Sequence, residues 1–254
     1  MSIAFVAHRG SNTNKTSGTT ISVSPSANLA VGALIIVRCT SDNIGGSTGE
    51  TDWHAISDSK GNTWTKIREH TPTSFYGSGT DAGSVATHST YVSKLTVAIT
   101  TSDTITLTID SAVTAKTIAI EEFSVPEDKI FSVIKSVVSA DNQTYDLSMT
   151  VSVNQEYLWI AHTGEEPRYD SGSHTQDSDY SGALTIGTTG GGLRSNVGSH
   201  WGHRVFTGDM DTYSVGIAGT TDSGQINSGI IFTAIGEIND PDFTAPGGGG
   251  WFIF

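Results

Sequence analysis

Apolar and polar residues alternate with a period of two along almost the whole chain, and this excludes most folds at once. Thr20-Ile21-Ser22-Val23-Ser24 and Thr104-Ile105-Thr106-Leu107-Thr108-Ile109 set aliphatic side chains on one face and hydroxyls on the other, as half-buried strands do. Leu34-Ile35-Ile36-Val37 and Ile230-Ile231-Phe232 are unbroken apolar runs, expected where a strand is covered on both faces. Val133-Ile134-Lys135-Ser136-Val137-Val138 adds a further strand. Turn chemistry separates such segments: Asp58-Ser59-Lys60-Gly61-Asn62 stands between Ile56 and Trp64, and Thr221-Asp222-Ser223-Gly224 between two later strands. No stretch carries apolar residues at helical spacing. The 29 glycines and the charged fraction of only 15% agree, because helices favour Ala, Leu, Glu and Lys. The expectation is an all-β protein, an antiparallel β-sandwich.

Pairs of segments then recur in the same order. Ala33-Leu34-Ile35-Ile36-Val37-Arg38-Cys39-Thr40 is matched by Glu156-Tyr157-Leu158-Trp159-Ile160-Ala161-His162-Thr163. Each follows an alternating strand and a short turn, Val23 to Val31 and Met149 to Gln155. Thr104–Ile109 is matched by Thr212-Tyr213-Ser214-Val215-Gly216-Ile217. Ala119-Ile120-Glu121-Glu122-Phe123 is matched by Ala234-Ile235-Gly236-Glu237-Ile238. The order predicts two pseudo-repeats of roughly 110 residues, 1–126 and 127–238, each of four or five strands. A unit that small buries both faces of a sheet poorly, so the halves are expected to supply the facing sheets of one sandwich.

Three stretches break the rhythm: 41–52, 70–90 and 164–203, the last containing His200-Trp201-Gly202-His203. Long connections in a compact domain commonly form binding surfaces. After Ile238 come Asn239-Asp240-Pro241-Asp242-Phe243-Thr244-Ala245-Pro246, four glycines, and Trp251-Phe252-Ile253-Phe254. Residues 239–254 read as a linker followed by an apolar anchor. A tip of four large side chains is a patch that soluble proteins avoid exposing, and each side chain stabilises by roughly 1.5–3 kcal/mol when fully buried. Trp251, Phe252, Ile253 and Phe254 are therefore the expected contacts to a partner or to a neighbouring copy of the chain.

Other chemistry is poorly supplied. Lys and Arg number 13 against 26 Asp and Glu, a formal charge of −13, which opposes binding to a phosphate backbone. One cysteine excludes a disulfide framework, and no apolar run approaches the roughly 18 residues of a membrane span. The opening MSIAFVAHRG lacks the long apolar region of a signal peptide. The eight histidines hold no ligand spacing; His200 and His203 would face opposite ways on a strand. Glu121-Glu122 and Glu165-Glu166 are adjacent and so diverge, and the acids from Asp170 to Asp179 lack the spacing of a calcium loop. There is no nucleophile elbow and no phosphate-cradling loop. No catalytic residue, cofactor or metal is expected. Aromatics in or beside the long connections, Phe75, Tyr76, Tyr169, Tyr180 and Trp201, could offer ring faces to a glycan.

The succession of an alternating strand, Ala33-Leu34-Ile35-Ile36-Val37, Asp58-Ser59-Lys60-Gly61-Asn62-Thr63-Trp64-Thr65-Lys66-Ile67, a Thr-rich strand pair and Ala119-Ile120-Glu121-Glu122-Phe123, with its weaker second round, resembles β-sandwich accessory virion proteins of tailed bacteriophages. The resemblance covers roughly residues 20–238 and contains no catalytic signature. It implies a jelly-roll-like sandwich displayed on a head or tail, assembled in the host bacterial cytoplasm, with other virion proteins and copies of itself as partners. Neither nucleic acid nor membrane is an expected partner. A glycan-binding adhesin using the long loops is the alternative, and a glycan-cleaving enzyme ranks below both.

Overall fold

The computed structural model describes residues 2–42, 49–72, 85–140, 144–167, 173–190, 196–218 and 226–238. Within them every regular element is a strand: β1 Ala4–Asn14, β2 Gly18–Val23, β3 Leu34–Asp42, β4 Gly49–Glu50, β5 His54–Asp58, β6 Thr65–Thr71, β7 Ala86–Lys94, β8 Ile105–Val113, β9 Lys116–Ser124, β10 Phe131–Ala140, β11 Thr144–Pro167, β12 Ser173–Gln176, β13 Ser181–Gly187, β14 Gly198–Ala218 and β15 Ile226–Glu237. All pairings are antiparallel. They build a sheet of order β1-β9-β3-β7-β6-β4, a small sheet β2-β8-β5, and a sheet β10-β15-β11-β14-β12 in which β13 also pairs with β14.

Three apolar cores hold these sheets in layers. The first lies between the small sheet and one face of β3, β7 and β9, with Ile21, Leu107, Ile35, Val37, Cys39 and Ile120 among its members. The second joins the opposite face of the same strands to the third sheet: Leu34, Ile36, Val92 and Phe123 meet Leu158, Ile160 and Ile235. Strand β3 is thus buried on both faces, as its unbroken aliphatic run requires. In the third core Met149 and Tyr213 pack with Tyr157, Trp159 and Phe232. Met149 and Tyr157 belong to one strand, β11, whose register breaks between Thr150 and Gln155, so the strand bends from one layer into the next.

One sheet from each half therefore does face the other, but two facing sheets do not exhaust the fold. The first half brings a second sheet of its own, and the second half folds back on itself through the long strands β11 and β14. The first half also holds nine strands rather than four or five. Each strand that ran two-faced in sequence had to be covered twice, and this layering does it.

Local chemistry fixes the turns. At Asp58–Asn62 the Asp58 carboxylate accepts from Lys60 N–H (2.7 Å) and from Trp64 Nε1 (2.7 Å), and Gly61 takes φ 75°, a left-handed conformation that suits glycine. Trp64 packs on the first core. Asn62 ties this turn to the next connection: its Oδ1 accepts Thr96 N–H (2.9 Å) and Val97 N–H (2.8 Å), and its Nδ2 donates to Val97 O (3.1 Å). The turn expected at Thr221–Gly224 lies outside the described residues.

Candidate functional site

The space between the two large sheets changes character along its length. At one end it is aliphatic. At the other, the same strand faces carry Arg38, Thr40, His88, Thr90, Thr117 and Glu121 from the first half, and His162, Ser199, Trp201 and His203 from the second. Strands β3 and β11 finish at this polar end, and β7 and β15 begin there.

Arg38 is the centre of the polar layer. It interrupts the apolar run of β3, is 1% exposed, and pairs with Glu121 of β9 (Nη2 to Oε2, 2.8 Å). Its guanidinium also lies 5.3 Å from the ring centre of Trp201. Burial pushes the Glu121 carboxyl up, against the downward pull of Arg38. Next to this pair, Ser199 Oγ shares hydrogen bonds with Thr40 and with Thr117 (3.0 Å), linking β14 to β3 and β9 across the layer.

The histidines follow. His162 hydrogen-bonds Thr90 through Nδ1 (3.1 Å), and its ring stands edge-on to His88 with centres 5.5 Å apart. His88 is fully buried, and its two ring nitrogens have no hydrogen-bond partner among the described residues. Burial drives both imidazoles well below the usual histidine range, reinforced by Arg38 at His162 and by neighbouring histidines at His88. Burial also lowers His203 to about 4. On the other face of the sheet, His54 bonds Ser41 (2.9 Å) and Ser89 (2.7 Å) and is likewise lowered to about 4 by burial, with Glu69 opposing. These are neutral core groups. Gly164 of β11 permits the close approach of the sheets here, since a Cβ at that position would land on the His88 side chain.

Chemically, the layer offers little to a substrate. The imidazoles are sealed and neutral, and the Arg38–Glu121 charges are spent on each other. The Cys39 thiol is pushed far up by burial. Among the described residues, no three His, Cys, Asp or Glu side chains converge to hold a metal ion.

The residues singled out in sequence fall into two sets. Trp201 is fully buried on β14, and Tyr180 is 7% exposed, donating to Asp211 Oδ2 (2.9 Å) and stacked edge-on with Tyr213. Their ring faces are occupied by the protein's own packing, so neither presents a platform to a glycan. The reason is that much of 164–203, read as an open excursion, is strand: β11 runs to Pro167 and β14 starts at Gly198. Phe75, Tyr76, Tyr169, Trp251, Phe252, Ile253 and Phe254 lie outside the described residues. The Arg38–Glu121 pair does have a sequence signal: a lone cation within Leu34–Cys39 and an acid within Ala119–Phe123 make a buried ion pair wherever the two strands are neighbours, as β3 and β9 are.

No known family model, curated protein or solved structure matches this chain.

Proposed function

We propose that this chain is a structural, non-enzymatic component of a tailed-bacteriophage particle, a head decoration or tail-associated protein assembled in the host bacterial cytoplasm. It docks through Trp251, Phe252, Ile253 and Phe254 onto other virion proteins or copies of itself. The observation that carries the reading is polarity. Strands β3 and β11 finish, and β7 and β15 begin, at one end of the stacked sheets, whereas β15 ends at the opposite end, where Ile238 N–H bonds Ile130 O (3.2 Å) and Lys129 pairs with Glu237 (2.8 Å). Residues 239–254 follow from that second pole. The same pole exposes Val31, Val97 and Ile130 and carries a cleft lined by Val31, Phe123, Val125 and Pro126. Apolar surface at one pole and polar strand ends at the other suit a body that is fastened below and displayed above.

In this reading the halves 1–126 and 127–238 are pseudo-repeats of one jelly-roll-like plan. Strand order supports it: β1-β9-β3-β7-β6 runs parallel to β10-β15-β11-β14-β13, and β2-β8-β5 to the outer parts of β11 and β14 with β12. The net charge of −13 keeps crowded copies soluble and away from nucleic acid.

The test is incorporation of full-length chain, and of chain lacking residues 247–254, into particles. Loss of incorporation on deletion is the expected result; unchanged incorporation overturns the docking reading. A glycan array on the intact protein addresses the adhesin alternative, and reproducible binding there would displace the structural reading.

A further inference from the structure

A second cluster at the polar end serves neither the ion pair nor the histidine layer. Lys15 stands in the connection between β1 and β2, half-buried, with its Nζ 2.7 Å from Oδ1 of Asn196. Asn196 is 1% exposed and directly precedes Val197 and β14. Its carbonyl oxygen also accepts from Thr188 Oγ1 (3.1 Å), so two donors draw electron density from the carboxamide carbon. Asp42, at the end of β3, completes the group. Its Oδ2 accepts the N–H groups of Ala115 (2.7 Å) and Thr114 (3.2 Å), while Oδ1 is buried with no hydrogen-bond partner among the described residues. Val197, next to Asn196, packs with Ala115, whose N–H Asp42 accepts, and with Ala86, opposite Asp42 on β7; the Lys15 charge also acts on the Asp42 carboxyl, which places the acid in the neighbourhood of the pair.

An amine in contact with a polarised carboxamide, beside a sheltered carboxyl group, is the equipment of an acyl transfer. We infer that Lys15 and Asn196 close into an intramolecular isopeptide bond, with Asp42 carrying the proton. In the step, the lone pair of the neutral Lys15 amine attacks Cγ of Asn196 and a C–N bond forms. Asp42, protonated, gives its proton to the departing Nδ2 and takes one from the attacking nitrogen. The Cγ–Nδ2 bond breaks and ammonia leaves. Amine plus primary amide becomes secondary amide plus ammonia, with no oxidant and no external reagent. Burial raises the Asp42 carboxyl, against the pull of its two backbone donors and of Lys116 and Lys15, which favours the protonated form this role needs. The bond would join the first half to the second at the end where the layer between them is polar rather than aliphatic.

Intact-mass spectrometry and a tryptic map of the folded full-length chain, held at mildly alkaline pH, test this. The expected result is a chain lighter by one ammonia than its sequence, with one peptide joining Lys15 to Asn196. Lys15→Arg, which keeps the charge but cannot form the amide, and Asp42→Asn should both retain the full mass. A folded wild-type chain at full mass, with a Lys15 amine open to acylation, overturns the inference. So does an ammonia loss that maps to an asparagine with no joined peptide.

Discussion

Acidification from about pH 7.5 to about pH 5 should remove most of this protein's stability, through histidines held neutral in its interior. An unfolded histidine titrates near 6.5, whereas His54 and His203 are lowered to about 4 in the fold, and His88 and His162 are lowered well below 6.5. A base whose folded value is depressed leaves the unfolded chain binding more protons between the two values. Stability is therefore complete above the unfolded value and falls as pH drops through 6.5 toward the folded one. At about pH 5 each such histidine costs about 2 kcal/mol, and the four together about 8 kcal/mol. A domain stable by about 5–15 kcal/mol loses most of its margin. Two carboxyls act in the opposite sense: Asp42 and Glu121 are raised by burial, so their protonation on acidification returns part of the loss. Glu69 is held low by His54, Lys66 and the Trp53 N–H despite its burial, and begins to cost stability only below the usual carboxylate value of 4.5, outside this window. Urea titrations at the two pH values, followed by tryptophan fluorescence, measure the difference. The variant His88→Leu removes one titrating group that makes no hydrogen bond among the described residues, and should flatten the pH dependence by about 2 kcal/mol. Equal urea midpoints at both pH values, or a higher midpoint at pH 5, would refute the argument.

Four substitutions probe the packing. Arg38→Met or Glu121→Leu alone should cost about 3–5 kcal/mol by stranding a buried charge, while the double variant recovers most of it; a double-mutant cycle by chemical denaturation decides, and additive losses would count against the pair. Gly164→Ala drives a methyl group into His88 and should destabilise by about 1–3 kcal/mol, read as a lowered Tm. Asn62→Ala removes the acceptor for two backbone N–H groups and should cost about 1–3 kcal/mol, with no change expected in the tryptophan environment of Trp201.

How far the sequence could be read is clearest at β3 and β11. The unbroken aliphatic run of β3 predicted a strand covered on both faces, and Leu34–Val37 is so covered, as are Tyr157–Ala161 of β11. Yet matching Ala33 to Glu156 sets Leu34 against Tyr157, and these face different cores: Leu34 packs with Leu158 between the large sheets, Tyr157 with Met149 on the other side. The match is one residue out of step. Alternation labels the faces of a strand only while one face is polar, and a doubly covered strand has lost that label.

The period-two pattern by itself determined the all-β class, the antiparallel turns and the positions of the buried strands, because the pleat converts residue parity directly into side. It could not determine what stands opposite each side. Arg38 and Thr40 share a face with Leu34 and Ile36, and nothing local distinguishes a solvated end of that face from a sealed one. Only the docking of the third sheet, which brings Trp201, His162 and Ser199 over them, made those polar residues interior and neutralised the histidines, since desolvation comes from atoms distant in the chain.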